Sequence, residues 1–235
     1  MNRKIIISLI VAFIAIGTYF YADILVKEKI KESVDKRLQS KIGPAQSYEV
    51  GVSGSLIDLI RGKVAGLDIQ GNKVKLRNGV TLDDLHVQLK GVKLDPRKAI
   101  ILAIDKASFE GSLAQNELNN YVRNKHPDIS DINIALQDGY LTMTARPMML
   151  RYNTIVNAQG TLEISEGDRL ILNFNKVQSA GKSASESSCA YLEGAVNPVF
   201  DTRDMSFHPK LTSVTIVPGA IKLVGHFDSL DARAF

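Results

Sequence analysis

The sequence predicts an α+β fold: a long, curved, mostly antiparallel sheet wrapped on one or two helices. Three observations predict it. Runs of period-two alternation recur along the chain, separated by short turns rich in Gly, Asp and Pro. Helical patterns are few and do not alternate regularly with the strands, so no βαβ series arises. The alternating runs carry Val, Ile, Leu and Met on one face, as expected of a sheet with one buried side.

The chain opens with a stretch of a different kind. Ile5 to Ala22 (IIISLIVAFIAIGTYFYA) contains no charged residue, and Arg3 and Lys4 precede it. As a helix it would run about 27 Å at 1.5 Å per residue, close to the thickness of a bilayer core. A buried core helix would show a polar face over five turns. The stretch therefore reads as a signal peptide or an uncut anchor. Ala15 and Gly17 offer small residues at a cleavage spacing but fall early, and Phe20 spoils the later site. The expectation is an uncut signal anchor over residues 1–23, a single transmembrane helix. Taken literally, the basic residues Lys27 to Lys41 after the span place the domain in the cytoplasm. A short basic region before a long apolar run is, however, what export machinery reads. Export to the extracytoplasmic, periplasmic side is the expectation.

Residues 24–44 read as a juxtamembrane amphipathic helix. Val26, Ile30, Val34, Leu38 and Ile42 follow one another at i, i+4 and form a narrow apolar stripe. The stripe either packs on the domain or lies on lipid. Packing is favoured because lipid-surface helices carry bulkier apolar residues. Gly43-Pro44 ends the helix.

Residues 45–235 form the domain. Tyr48, Val50 and Val52 alternate in a strand over 47–53 that Gly54 breaks. Ser55 is placed to cap a short helix over 56–61, with Asp58 in its first turn and Gly62 after its end. Strands are expected over 63–69, 73–76 and 84–94, the last with a slip at Gly91 that suggests a bulge. Asp95-Pro96 stops it. The apolar run 99–104 suits a buried strand or a helical turn equally. Residues 107–111 read as extended, and Ser112 as the cap of a helix to about Lys125. A meander follows from Ile129, with Asp138-Gly139 a hairpin signal and a strand over 148–158. Gly160 and Glu166-Gly167-Asp168 read as turns before further strands. A helix is expected over 184–196, closed by Asn197-Pro198. A last hairpin joins 210–217 to 220–227.

Composition narrows function. The 235 residues are 45% hydrophobic and 23% charged, with a net charge of +4. The basic residues are scattered, with little aromatic interleaving, so nucleic acid is not an expected partner. The single cysteine, Cys189, allows no intrachain disulfide and reads as a small buried residue. The four histidines have no His or Cys at metal spacing, so no metal or cofactor is expected. Three motif fragments fall short. Gly51-Val52-Ser53-Gly54-Ser55 lacks the last glycine of a nucleophile elbow. Ala180-Gly181-Lys182-Ser183 has Lys176 where a phosphate loop needs its first glycine. Ser179-Ala180-Gly181-Lys182 lacks the partner motifs of S-x-x-K enzymes. No catalytic residue is assigned, and the chain is expected not to be an enzyme.

Three stretches taken together resemble the LmeA-like phospholipid-binding family of exported bacterial envelope proteins. They are Val52 to Val64 (VSGSLIDLIRGKV), Gly91 to Pro96 (GVKLDP), and Val196 to Asp201 (VNPVFD) with the closing Gly219 to Gly225 hairpin (GAIKLVG). The resemblance implies a fold similar to tubular lipid-binding domains, with an acyl groove between sheet and helix. It also implies phospholipid binding in cell-envelope biogenesis without catalysis, and supplies no catalytic residues.

Two functions remain. The first is a membrane-anchored phospholipid-binding or lipid-transfer protein. Its groove would be lined by Leu56, Leu59 and Ile60, by Leu118, Tyr121 and Val122, and by Tyr191, Leu192 and Val196. The second is a scaffold with a filled core that holds a protein partner, an enzyme of lipid or glycan synthesis in the envelope. Ordinary core packing explains all nine residues equally well.

Overall fold

The computed structural model describes residues 23–32, 34–35, 38–40, 42–95, 100–147, 155–179, 182–183, 186–204 and 208–227. The expected anchor, and the start of the strand expected over 148–158, lie outside them. Among the described residues no helix is long and apolar enough to cross a membrane.

The fold is mostly antiparallel sheet with few helices. The expected single curved sheet is two sheets. The first contains β1 (Ser47–Ser53), β2 (Lys63–Lys75), β3 (Thr81–Asp95), β4 (Ile100–Ala103), β5 (Lys106–Ala114), β12 (Lys210–Val217) and β13 (Ala220–His226). Its order is β1-β2-β3-β5-β13-β12, with β4 also on β3. The second contains β6 (Ile129–Leu136), β7 (Leu141–Pro147), β8 (Val156–Ser165), β9 (Arg169–Ser179), β10 (Lys182–Ser183) and β11 (Phe200–Asp201). Its order is β10-β9-β8-β7-β6, with β11 on β9. The division falls at the helix α3 (Gln115–Lys125), which takes the chain from β5 to β6. One contiguous buried cluster joins both sheets, from Leu67 and Leu89 to Leu141, Leu170 and Leu223.

Several expected breaks are continuous strand. β2 runs through Gly71 and Asn72, and β8 runs through Gly160 with a register shift between Gln159 and Gly160. Gly91 has φ 65°, and a Cβ there would run into the Asp105 side chain. The pairs Gly66↔Lys90 and Val64↔Val92 nevertheless keep one register, so no extra residue is inserted at Gly91. Ser112 does not cap α3. β5 continues to Ala114, and the Gln115 N–H donates to the Gly219 carbonyl.

The helix α1 covers the described residues of 23–40. Its stripe packs on the domain: Leu38 is buried, and Val26, Ile30, Val34 and Ile42 pack against the core. α1 runs antiparallel to β1. Arg77 donates to the Ser40 carbonyl at 3.0 Å at one end, while Lys31 and Asp35 share a hollow with Tyr48, Val50 and Gly51 farther along. α2 (Leu56–Ile60) forms as expected, with Ser55 Oγ accepting from the Asp58 N–H at 3.2 Å. Gly62, at φ 76°, follows the helix end.

Candidate functional site

The second sheet has two lateral strands whose backbone groups need partners, β6 on one side and β9 on the other. Unpaired strand edges expose a row of donors and acceptors. On β6 the partners are side chains of α3. Gln115 Oε1 accepts from the Leu136 N–H at 2.8 Å. Asn119 Oδ1 accepts from the Ile134 N–H at 2.7 Å, and its Nδ2 donates to the Ile134 carbonyl at 2.8 Å. Arg123 Nε donates to the Ile132 carbonyl at 2.8 Å. Four residues of helix advance about 6 Å and two residues of strand about 6.6 Å. Side chains at i, i+4 and i+8 therefore meet every second residue of the strand.

The same device recurs on β9. The helix α4 (Glu186–Val196) supplies Glu193, whose Oε1 accepts from the Phe174 N–H at 3.1 Å. Asn197, four residues on, accepts from the Leu172 N–H at 2.7 Å and donates to the Leu172 carbonyl at 2.8 Å. These bonds fill the gap between the short strands β10 and β11.

The two helices converge. Lys125, the last residue of α3, donates from Nζ to the carbonyl of Pro198, just beyond α4, at 3.3 Å. The same ammonium lies 5.4 Å from the Tyr121 ring centre. The second sheet is thus held at both sides by helices that meet at one end. Its apolar face, with Ile132, Ile134, Met143 and Leu170, is enclosed with Leu118, Val122, Leu192 and Val196 of the helices.

Charged groups sit around this interior. His126 ends α3, and its Nε2 is buried without a hydrogen-bond partner. Burial first, then the Lys125 charge, pushes its pKa below the usual imidazole value, against a weaker pull from Asp128. At the β8–β9 turn Arg169 pairs with Glu166, Arg203 with Asp201 at 2.5 Å, and Lys210 with Asp168 at 3.5 Å. These charges balance. On the far side of the first sheet, α1 and β1 border a hollow of about 620 Å³ with Lys31, Asp35, Tyr48 and Gln70 on its walls. Burial, with the Asp35 carboxylate nearby, pushes the Tyr48 phenol up to about 12, and its hydroxyl donates to the Gly43 carbonyl at 2.9 Å.

The nine residues expected to line a groove separate into groups. Leu118 and Val122, with Leu192 and Val196, are buried in the cluster, and Tyr121 is half-buried against it. Leu56 and Leu59 are buried on α2, in a different part of the fold. Ile60 does not line an interior: it is 60% exposed. Leu56 and Leu59 are the buried residues of α2, and Ile57 and Ile60 its exposed ones. Tyr191 lies in α4, and its side chain is outside the described set. The polar residues Gln115, Asn119, Arg123, Glu193 and Asn197 carry no such expectation from the sequence. Their i, i+4 spacing is the signal that would have found them. Among the described residues no group of three or more His, Cys, Asp or Glu lies together as a metal site would need.

The architecture defines an α+β protein built on two antiparallel sheets, with a continuous apolar interior closed by helices. The chain belongs to the LmeA-like phospholipid-binding family, whose model matches residues 22–226. No curated protein and no solved structure matches the chain.

Proposed function

We propose that the chain is a non-enzymatic, membrane-anchored phospholipid-binding protein of the bacterial cell envelope, with its domain on the extracytoplasmic side. The observation that carries this reading is the family match over residues 22–226, which covers both sheets and all four helices. Acyl chains would lie against the apolar face of the second sheet beneath α3 and α4, near Leu118, Val122, Leu192 and Val196. Each buried CH₂ would contribute about 0.8 kcal/mol. The apolar stretch 5–22 supports tethering, and a tethered carrier loads from the adjacent membrane over short distances.

Native mass spectrometry with lipid extraction tests the reading, on residues 24–235 purified without detergent. Stoichiometric phospholipid is expected. A clean apo mass with no uptake from added liposomes would sink it. The continuity of the buried cluster favours one second reading, a scaffold with a filled core that holds an envelope enzyme. That reading gains if the apo mass is found.

A further inference from the structure

Large apolar side chains exposed to solvent are unevenly placed. Ile57 and Ile60, on the outer side of α2, are 55% and 60% exposed, and Leu102 on β4 is 54% exposed. Ile24 and Leu25, in the first turn of α1, are 55% and 47% exposed. All five belong to one end of the first sheet. α2 leads directly into Lys63, which pairs with Lys93, which pairs with Ala103 beside Leu102. Two strand spacings, about 10 Å, separate β2 from β4. α1 reaches the same end. Lys31 lies beside Val50 and Gly51, and seven further residues of helix, about 10 Å, bring Ile24 level with Ser53–Ser55.

We propose that this end of the first sheet docks on the surface of a lipid bilayer, with Ile57, Ile60 and Leu102 inserted among the headgroups. The proposal rests on the anchored reading above and adds the face that meets the membrane. Two observations select lipid as the occupant. The first is where the chain outside the structure begins. Residues 1–22 join α1 at Asp23, at this end, and include the eighteen uncharged residues 5–22. A span leaving from here brings α2 and β4 to the bilayer. The second is charge. Exposed Lys63 and Lys93 are direct cross-strand partners, and Arg61 stands beside them. Like charges in that position repel, and an anionic surface removes the repulsion and attracts all three. Asp58, the acid on α2, is bound to Ser55 at 2.6 Å. Exposed apolar residues near lysine and arginine are the composition of interfacial contacts.

Spin-label depth measurements on the full chain test this. The chain, with Cys189→Ser, is reconstituted in vesicles of equal parts phosphatidylethanolamine and phosphatidylglycerol. Nitroxides are placed singly at Ile60→Cys, Leu102→Cys and Tyr140→Cys. Tyr140 is an exposed control in the β6–β7 turn, whose Gly139 donates to Ile216 at the opposite end of the first sheet. Labels at 60 and 102 are expected to be reached by oxygen and to show several-fold lower access to a water-soluble nickel complex than the label at 140. Adding Ile57→Asp should restore nickel access at 102. Equal nickel access at all three positions overturns the proposal. So does shielding of 60 and 102 from both oxygen and nickel, which would mean a contact with a second copy. Alkaline carbonate extraction separates the two readings. A chain retained in the vesicles with 60 and 102 in water keeps the anchor and loses the docking face. A chain extracted by carbonate whose labels were immersed keeps the docking face and loses the anchor.

Discussion

Replacing Asn119 by Leu keeps the branched shape of the side chain and removes both bonds to Ile134. Asn119 is 6% exposed, so water does not replace them. The Ile134 N–H and carbonyl are left unpaired at a buried edge. Each orphaned group costs about 1–3 kcal/mol, so the substitution should destabilise by about 2–6 kcal/mol. At about 2–4 °C per kcal/mol for a chain of this size, Tm should fall by about 4–24 °C. Urea unfolding gives the free energy, and hydrogen exchange gives the location. The Ile134 amide should lose protection before amides of the first sheet do. Asn120→Ala, one residue along and exposed, is the control and should change little. A loss below about 1 kcal/mol with the Ile134 amide still protected would refute the claim that α3 serves as the missing strand.

Three further outcomes are expected. Leu118→Ala empties part of the enclosed interior and should cost about 2–5 kcal/mol in urea unfolding, since Leu118 is 1% exposed. The folded pKa of His126 lies below its unfolded value, so protonation favours the unfolded chain. Stability should be level above about pH 7 and should decline as pH falls from about 6.5 through the folded pKa. His126→Gln should flatten that decline, which a series of melts across this range would read. Val34→Asp places a carboxylate where α1 meets the core, so hydrogen exchange in α1 should quicken. Under the carrier reading phospholipid retention is unchanged by it, whereas a scaffold working through α1 would lose its partner.

The period-two signal made most strands readable, because strands with one buried face write their orientation into every second residue. The hairpin at Asp138-Gly139, the cap at Ser55 and the stripe from Val26 to Ile42 were readable for the same reason: each rests on contacts local in sequence. Glycines misled where their role is non-local. Gly71 looks like a break in β2, yet it is the direct cross-strand partner of Tyr48, and a Cβ there would strike the Tyr48 ring. Gly225 seats Phe109 in the same way. Gly160 lies within β8 opposite a bulge at Asn175 of β9, not at a turn. The division into two sheets depends on which strands pair across the chain, which alternation does not encode. The interior was half legible. Apolar positions on α3 and α4 stood out, but the polar residues that hold those helices to the strands look like an ordinary solvated face. Ile60 was misplaced because five residues are too few for a helical period to declare its inner side.

The match between helix and strand works like a vernier. Each step of four helical residues falls short of two strand residues by about 0.6–0.8 Å. Over three contacts the error is about 1.5 Å, which the differing reach of Gln, Asn and Arg side chains absorbs. A fourth or fifth contact would push it beyond 2 Å, past the tolerance of a hydrogen bond. A helix can therefore stand in for a strand for about three turns and no more. α3, with 11 residues, is about as long as the substitution allows. A longer second sheet would have needed a true strand at that position, and the interior beneath the helices could not then be opened by moving a helix alone.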